Sequence, residues 1–235
     1  PLIRIQYQKD EQIVKKDDLV TLTIEDMGVD GEGIGHVDGC TLFVKDALIG
    51  DVINAKIMKM KKNYGYARMM EIKTPSPDRV EPKCDYHKQC GGCQIQALSY
   101  EKQLAYKKNK VLNNLTRIGG LSDLPEFDVI GMEKPYHYRN KAQFPVQLDR
   151  NLNPVMGFYA SNTHRVVPCE NCVLQPESFG DVLTVVREWI IRRGISVYDE
   201  QTHKGLLRHV YIRQGHYSKE LMVCLETPMD LAKSS

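Results

Sequence analysis

The 235-residue sequence contains no apolar run long enough to cross a bilayer, so it offers no candidate membrane span. It also lacks a secretory signal sequence, and its seven cysteines are an odd number. Secreted disulfide scaffolds are short and pair their cysteines, so these absences favour a reducing, cytoplasmic location. A dominant charge sign is missing too, because the formal net charge is only +2. Overall charge therefore gives no indication of a nucleic-acid partner.

Charge is nevertheless unevenly distributed along the chain. Residues 52–73 contain six cationic side chains and one acid, a local net charge of +5. The cations are Lys56, Lys59, Lys61, Lys62, Arg68 and Lys73. A local basic stripe on a near-neutral protein is typical of a surface that follows phosphates. A solvated lysine face without a partner produces the same pattern and remains the alternative.

The cysteines form the most distinctive pattern that the sequence does contain. Cys84, Cys90 and Cys93 lie within ten residues, and two glycines fill the last gap. Glycine lets the backbone fold around a bulky centre and turn its N–H groups toward sulfur. A fourth thiolate from Cys169 or Cys172 would complete the ligand set of an iron–sulfur cluster or a structural zinc.

Other interpretations of these cysteines are possible. The Cys-x-x-Cys pair at 90–93 resembles a redox motif, but such a motif opens a helix after a buried strand, and residues 81–87 do not form that pattern. Two Cys-x-x-Cys pairs also resemble a zinc ribbon, although this leaves Cys84 unused. Structural zinc and an iron–sulfur cluster therefore both remain alternatives for the group that these cysteines bind. Cys40 and Cys224 lie in alternating apolar runs and are interpreted as ordinary buried thiols.

Alternating apolar residues and closely spaced turns predict a small β-barrel in the first third of the chain. The expected strands include 19–24, 40–44, 51–58 and 64–72, and residues 36–44, after a glycine-rich turn, are expected to form a hairpin. Five short strands in so few residues favour a closed barrel of the OB type, because closure removes exposed edges. The glycine-rich stretch at 28–35 is no dinucleotide loop, since a hairpin and not a helix is expected after it.

The remainder of the chain predicts an α+β fold dominated by strands. A proline-containing linker at 73–83 leads into the cysteine loop, and a helix follows between Ser99 and Gly119-Gly120. A strand hairpin is expected over 140–160, and a second over 206–227. Between them we expect a helix at 177–193. Its predicted inward side chains are Phe179, Val182, Leu183, Val186, Trp189 and Ile190. For the first helix they are Tyr100, Leu104, Val111, Leu112, Leu115 and Ile118.

Several segments together resemble the iron–sulfur uracil-5 methyltransferases of 23S ribosomal RNA. They are residues 31–35 (GEGIG), 47–51 (ALIGD), the cysteine segment 84–94, 138–142 (YRNKA) and 207–213 (LRHVYIR). The resemblance implies an N-terminal extension at 1–14, an OB-like TRAM domain at 15–73, a linker and cluster-binding loop at 74–98, a helix at 99–120 and a central RNA-binding domain at 121–235. The barrel pattern is less specific than the cysteine spacing, because other RNA-modifying enzymes share it.

The resemblance also implies a [4Fe–4S] cluster held by Cys84, Cys90 and Cys93 with Cys172. In that family the fourth ligand precedes apolar residues, which suits Cys172 better than Cys169, although Cys169 remains the alternative. The cluster's expected role is to tie the linker, the helix and the central domain together. The expected partner is RNA, in particular 23S rRNA, and the protein is expected to be a monomer that binds no membrane.

The family's catalytic part is not found in this sequence. There is no glycine-rich loop between a strand and a helix after Gly120, and no Asp-Pro-Pro segment. The sites for S-adenosylmethionine, the cysteine nucleophile and the glutamate base are therefore expected outside this chain, which we interpret as an inactive N-terminal fragment. No catalytic residue is assigned to it. A different class of function, a non-enzymatic RNA-binding protein with structural zinc, fits the same sequence.

Candidate RNA contacts divide between the two regions. The barrel offers Lys56, Lys59, Lys61, Lys62, Tyr64, Tyr66 and Arg68, and the central region offers Arg139, Lys141, Arg208, His209 and Arg213. Cations can follow phosphates, and aromatic rings can stack on unpaired bases. Tyr64 and Tyr66 share one face of their strand, so they are alternatively core residues.

Overall fold

The computed structural model describes residues 14–228. The last seven residues, and all of the predicted N-terminal extension except Val14, therefore lie outside the described residues. Of the described chain, residues 14–81 and 94–129 form one compact unit, and residues 82–93 and 130–228 form a second. None of the helices in residues 14–228 is both long and apolar enough to cross a membrane.

The first unit contains a closed five-stranded barrel with strand order β1-β2-β3-β5-β4. The strands are β1 (Leu19–Met27), β2 (Gly33–Val37), β3 (Cys40–Lys45), β4 (Val52–Met60) and β5 (Tyr64–Thr74). All neighbouring strands are antiparallel except β3 and β5, which run parallel. Alternate side chains point inward and form a core that includes Leu22, Ile24, Leu42, Val44, Ile53 and Ile57. The prediction of a closed barrel is confirmed.

Glycines in β2 permit the close approach of backbone segments. A Cβ atom on Gly33 would lie 2.7 Å from the carbonyl oxygen of Ala47, and one on Gly35 would lie 2.5 Å from that of Thr23. No side chain fits at such distances. The glycine-rich stretch thus serves barrel packing, and the β2–β3 hairpin follows it as expected.

A helix packs beside the barrel within the same unit. Helix α1 spans Tyr100–Asn113 and continues into a π-helical turn, Asn114–Ile118. The predicted inward face is wrong in part, because α1 has no buried residue and Val111 and Ile118 are 47% and 82% exposed. The contact to the barrel is made by Tyr106, whose hydroxyl donates to the carbonyl oxygen of Gly28 at 2.6 Å. The spacing of apolar residues along a helix does not show how many of them contact the rest of the protein.

The second unit is a five-stranded sheet with a helix on one face. The strand order is β10-β9-β6-β7-β8, with β6 (Lys141–Leu148), β7 (Pro154–Tyr159), β8 (Val166–Pro168), β9 (His209–Gln214) and β10 (Leu221–Glu226). Helix α2 (Ser178–Arg193) packs its apolar stripe on the sheet, in a core shared with residues of β6, β7 and β9. Both predicted hairpins and the helix are present, whereas the three-residue β8 was not predicted.

The core of this unit contains most of the predicted inward side chains of α2. Phe179, Leu183, Val186 and Ile190 are buried there, and Gly194 ends the helix with a left-handed conformation. Trp189 is 37% exposed, so its predicted inward position is wrong. Trp189 lies at the edge of the apolar stripe of α2, and smaller side chains fill the centre of that stripe.

Candidate metal centre and nucleic-acid interface

Three of the predicted cysteine ligands lie in a loop of successive turns that is anchored to the sheet of the second unit. Cys90 forms an isolated bridge with Ala160, just beyond β7, and the N–H of Gly91 donates to the carbonyl oxygen of Tyr159 at 3.0 Å. A Cβ on Gly91 would lie 3.0 Å from that same oxygen, so glycine allows the loop to approach closely. The sheet thereby fixes the position of the loop.

Cys169 and Cys172 belong to the same unit and approach this loop. Cys169 directly follows β8 and is buried, and Cys172 is half-buried in the turn before α2. Burial raises the pKa of Cys93 to about 11, and the neighbouring Cys172 and Cys90 thiolates add to the rise. Burial likewise raises the pKa of Cys84, with further contributions from Cys172 and Cys90. The Cys172 thiolate thus contributes to the raised pKa values of all three loop cysteines.

The two downstream cysteines differ sharply in protonation. A hydrogen bond from the Cys169 thiol lowers the pKa of Cys172 to about 6, against the opposing effect of burial. The same bond raises the pKa of Cys169, and burial raises it further. Backbone N–H groups of Leu174 and Gln175 also favour the Cys172 thiolate. Cys172 is thus the anionic sulfur of this pair, and Cys169 is its buried donor.

Arg139 adds positive charge beside these sulfurs. The segment before β6 runs along the turn that holds Cys172, with the Arg139 N–H donating to the Leu174 carbonyl oxygen at 2.8 Å. The Arg139 guanidinium favours the thiolate forms of Cys90, Cys93 and Cys172, although burial still leaves the pKa of Cys90 and Cys93 raised. The sequence predicted Arg139 only as an RNA contact, and its effect on the sulfurs was missed.

Within residues 14–228, no group of three or more His, Cys, Asp or Glu side chains is placed to hold one metal ion. The N–H of Gly92 donates to the Cys90 sulfur at 3.3 Å. No disulfide joins any of the seven cysteines, all of which lie in the described residues.

The two cysteines outside this group do not match their prediction. Cys224 is exposed and Cys40 is only half-buried, so the interpretation of both as buried thiols is wrong. Cys224 lies on β10, the edge strand of its sheet, where α2 does not cover the apolar positions. Alternation alone does not distinguish an edge strand from a central one.

Three aromatic rings meet on the outer surface of the barrel. Tyr64 and Tyr66 alternate with inward residues of β5, and Phe43 lies beside them on β3. Each pair of ring centroids is 5.8 Å apart. Because Tyr64 and Tyr66 are 38% and 46% exposed, the alternative that they belong to the core is wrong. We call these three residues the aromatic platform.

Cationic side chains occupy register positions around the aromatic platform. Lys59 of β4 pairs with Tyr66, and Arg68 of β5 lies between Lys56 of β4 and Lys45 of β3. A bulge after Ile57 is needed to align Lys59 with Tyr66. Lys56 also forms an exposed ion pair with Asp17 at 2.9 Å. The barrel thereby combines rings and cations on one side, as surfaces that bind single-stranded RNA do.

The other predicted cations of the barrel lie near its edges. Lys61 and Lys62 are in the turn between β4 and β5, where the Lys61 N–H donates to the Tyr64 carbonyl oxygen at 2.8 Å. Lys73 is exposed near the end of β5. Phe43 and Lys45 were missed by the sequence analysis, because only the parallel β3–β5 pairing brings them beside Tyr66 and Arg68.

The predicted RNA contacts of the second unit fall into two groups. Arg139, Lys141 and Arg213 are exposed, and Lys141 and Arg213 pair directly across β6 and β9. Arg208 forms an ion pair with Glu200, whose carboxylate accepts hydrogen bonds from Arg208 Nε and Nη2 at 3.1 and 3.0 Å. His209 is only 9% exposed, so its predicted place on an RNA face is wrong. It is covered because β9 lies between β6 and β10.

Comparison with known proteins places the barrel in a named domain family. Residues 18–70 match the TRAM domain family. A protein of Clostridium tetani described as an uncharacterized RNA methyltransferase is 41% identical over 214 residues, covering 91% of this chain and 46% of its own length. A protein of Halalkalibacterium halodurans with the same description is 43% identical over 219 residues, covering 93% of this chain and 48% of its own. The chain spans about half the length of these curated relatives.

A solved structure shares the fold. The Pyrococcus abyssi tRNA (uracil-54, C5)-methyltransferase, in complex with S-adenosyl-L-homocysteine, aligns with a TM-score of 0.64 over 88% of this chain and 46% of that chain. At 24% sequence identity this similarity concerns the fold alone. The chain therefore contains a TRAM domain and is similar along most of its length to bacterial proteins described as RNA methyltransferases.

Proposed function

We propose that this chain is the RNA-binding and cluster-holding part of an S-adenosylmethionine-dependent enzyme that methylates C5 of uracil in 23S rRNA. The observation that carries the proposal is that the loop with Cys84, Cys90 and Cys93 and the turn with Cys172 belong to one unit, where the Cys172 thiolate raises the pKa of the loop cysteines. The cysteine spacing is the feature that separates the iron–sulfur subgroup from other TRAM proteins. The similarity to RNA methyltransferases supports the same conclusion.

The chemistry of uracil C5 methylation defines what this chain must contribute. A thiolate adds to C6 of the base, C5 becomes nucleophilic and takes the methyl group, and a base then removes the C5 proton. S-adenosylmethionine supplies the methyl group. We assign the nucleophile and the base to a part of the enzyme outside this chain. The residues described here bind the RNA and hold it in position, because the target base must be unstacked before it can react.

The aromatic platform and its cations are the proposed RNA surface of the barrel. Base stacking on exposed rings is sequence-tolerant, and lysine and arginine side chains neutralise phosphates. In the second unit, Arg139, Lys141 and Arg213 are the proposed contacts. We place the predicted domain boundaries at 15–73 for the TRAM domain and at 121–235 for the central domain, with the cysteine loop and helix between them.

The metal content tests the cluster directly. Protein purified without oxygen should contain about four irons and four sulfides per chain. Cys84, Cys90, Cys93 and Cys172 would then hold the cluster and cross-link the loop to the sheet. About one zinc without sulfide would replace the proposal with a non-enzymatic RNA-binding protein that has a structural zinc site.

The salt dependence of RNA binding tests the surface of the barrel. Reversing Lys59, Lys61 and Lys62 to glutamate should weaken binding to a 23S rRNA fragment and reduce the slope of log K against log salt, by about 0.7 to 0.9 for each lost phosphate contact. An unchanged slope would contradict the role of these lysines.

The substrate requires a test in the host organism. Deleting the gene should remove a 5-methyluridine from 23S rRNA, which mass spectrometry of isolated rRNA and tRNA detects. Reintroducing the gene should restore the modification. Loss of 5-methyluridine from tRNA alone would keep the uracil-5 chemistry and overturn the 23S assignment.

A further inference from the structure

The two outer strands of the second sheet differ in how their edges are protected. At one edge, β8 has only three residues and ends in Pro168, and Val166 and Val167 are buried. At the other edge, β10 has six residues and contains neither lysine nor proline. Its register with β9 runs from Leu221 to Glu226 without a bulge. Short length, proline, charge and bulges are the usual means of blocking further pairing, and of these β10 has only the charge of Glu226.

The side chains of β10 are exposed on both faces of the sheet. Leu221, Met222, Val223 and Leu225 are 39–49% exposed, and Cys224 between them is exposed as well. Successive strand residues point to opposite faces, so this run of five apolar residues leaves both faces of β10 open. Helix α2 packs on the central strands and does not cover β10. A continuous apolar run is typical of a strand that is buried on both faces in the complete protein.

Backbone groups at the outer edge of β10 are oriented for pairing with a further strand. The Gly215 N–H donates to the Glu220 carbonyl oxygen at 2.9 Å, so these residues form a hydrogen-bonded pair at the turn of the β9–β10 hairpin. Such pairs alternate with non-hydrogen-bonded pairs along an antiparallel ladder. Leu221, Val223 and Leu225 therefore direct their N–H and C=O groups away from β9. Within residues 14–228, β10 is the last strand on this side, so these groups face an open edge.

A strand that pairs with this edge has to come from outside the described residues. The barrel of the first unit is closed, so none of its strands has a free edge to offer. Two curated relatives are about twice as long as this chain, which covers 46% and 48% of their lengths. In the proposed function, that further half carries the nucleophile and the base. A strand of the same protein is present at high effective concentration, whereas a second copy has to associate from solution.

We propose that β10 is the interaction surface for the catalytic part of the full-length enzyme, which adds a strand along Leu221–Glu226. The inference rests on the proposed function, in that the enzyme extends beyond this chain. Backbone hydrogen bonds at the open edge set the register, and the apolar side chains become buried on both faces. The catalytic part is thereby fixed to the sheet whose neighbouring strands carry the proposed RNA contacts Lys141 and Arg213.

The thiol of Cys224 reports on this surface in the full-length protein. Labelling of the native protein with N-ethylmaleimide, followed by mass spectrometry of its peptides, gives the alkylation rate of each cysteine. Tyr217→Cys provides the exposed reference, because Tyr217 lies in the β9–β10 turn and is 94% exposed. We expect Cys224 to react about 10-fold or more slowly than the introduced thiol, since burial restricts both access and ionisation. Equal rates would overturn the proposal.

Val223→Pro is a selective disruption of strand addition. Proline removes an N–H that points to the open edge, so the hydrogen bonds between β9 and β10 are retained. Val223→Ala is the matched control, because it shortens the same side chain and keeps the N–H. Val223→Pro should raise the alkylation rate of Cys224 by about 10-fold, whereas Val223→Ala should preserve the slow rate. Circular dichroism verifies the fold of both variants, and protection of Cys224 that survives Val223→Pro would contradict strand addition.

Hydrogen exchange tests the same contact without a substitution. In the full-length protein, the N–H groups of Leu221, Val223 and Leu225 should exchange about 100-fold or more slowly than that of Tyr217, since each donates to the added strand. The rates are measured at single residues by NMR. Fast exchange at these three positions would overturn the proposal even where Val223→Pro fails to fold.

Dilution and activity separate the remaining outcomes. Protection of Cys224 that disappears on dilution, together with a dimer in light scattering, would identify a second copy as the occupant and overturn the proposal. Protection in a monomer that forms no 5-methyluridine would support the surface and overturn the proposed function. An active monomer with unprotected Cys224 would overturn the surface alone.

Discussion

The Asp51 carboxylate and the Arg79 guanidinium form a buried ion pair that fastens the end of the barrel to the segment after β5. Asp51 is fully buried and accepts from Arg79 Nε at 3.1 Å and from its Nη2. It also accepts from the backbone N–H groups of Leu48 and Ser76 at 2.7 and 2.8 Å. Arg79 Nη2 additionally donates to the Asp46 carbonyl oxygen at 2.9 Å. One carboxylate thus accepts hydrogen bonds from three residues in two segments, the β3–β4 loop and the segment after β5.

Neutralising Asp51 should destabilise the first unit. We expect Asp51→Asn to lower the free energy of unfolding by about 3 kcal/mol, because Arg79 loses its counter-charge in a largely buried position. Urea unfolding monitored by circular dichroism measures the change. Asp38→Asn, in the exposed β2–β3 turn, is the control and should stay within about 0.5 kcal/mol of wild type. Equal stability of both variants would contradict the importance of the pair.

The ion pair of Asp51 with Arg79 should also make the free energy of unfolding depend on pH in the acid range. Burial alone would raise the pKa of Asp51, but hydrogen bonds from Arg79, Ser76 and Leu48 outweigh it and leave the pKa below its usual value. A lowered pKa stabilises the fold above the unfolded-state value of about 3.9, and this contribution is lost as pH falls through the folded-state pKa. The stability difference between wild type and Asp51→Asn should therefore shrink below about pH 4. A difference that grows on acidification would contradict this assignment.

Serine substitutions should separate the two downstream cysteines. Cys172→Ser should abolish most bound iron and sulfide, because the remaining three thiolates cannot complete a four-thiolate site. Cys169→Ser should retain the iron, since a hydroxyl still donates to the Cys172 sulfur. Cys224→Ser, on the exposed edge strand, is the control. Metal analysis of anaerobically purified variants provides the measurement, and the reverse result would make Cys169 the fourth ligand.

Removing one ring of the aromatic platform should weaken RNA binding with little effect on folding. Tyr66→Ala should cost about 1–3 kcal/mol of binding free energy, the usual value of one base–aromatic stack. Its stability should change little, because Tyr66 is 46% exposed. Met70→Ala is a matched control from the same strand, where Met70 is 56% exposed. RNA binding that falls equally in both variants would contradict stacking on Tyr66.

Two glycines of the second unit should respond differently to alanine. A Cβ on Gly157 would lie 1.9 Å from the Val167 carbonyl oxygen, so Gly157→Ala should separate β7 from β8 and cost about 3 kcal/mol or more. Gly194 ends α2 with φ of 60° and has open space around it, so Gly194→Ala should cost only about 1 kcal/mol of backbone strain. Thermal unfolding of both variants compares the costs. Similar losses would show that steric overlap at β7 is relieved elsewhere.

Local patterns in the sequence were sufficient for most secondary structure. Alternation predicted four of the five barrel strands and four of the five strands of the second sheet, because an inward position on a strand demands an apolar side chain. The barrel strand β2 was expected only as a glycine-rich turn leading into a hairpin at 36–44. The missed strand, β8, contains only Val166–Pro168, which is too short to display a period. The exposed positions of Val111, Ile118 and Trp189 were missed because periodicity identifies a helical face without measuring its width.

The candidate sites show a similar division. The cysteine spacing identified the loop cysteines and the pair Cys169 and Cys172, whereas only the folded structure made Cys169 the hydrogen-bond donor to Cys172 and brought Arg139 near the sulfurs. The basic stripe was visible in the sequence, yet Phe43 and Lys45 joined it only through the parallel pairing of β3 with β5. His209 was buried by two flanking strands that a local pattern does not report.

The sequence by itself determined most of the segments that became strands and helices and the cysteines that are candidate ligands, because these follow from periods and spacings within short stretches of chain. The tertiary structure alone decided which distant residues became neighbours. It placed Asp51 against Arg79 and Phe43 against Tyr66, and it left β10 at the edge of its sheet. Burial, charge and hydrogen bonding at these places depend on strand order and register, which no local pattern encodes.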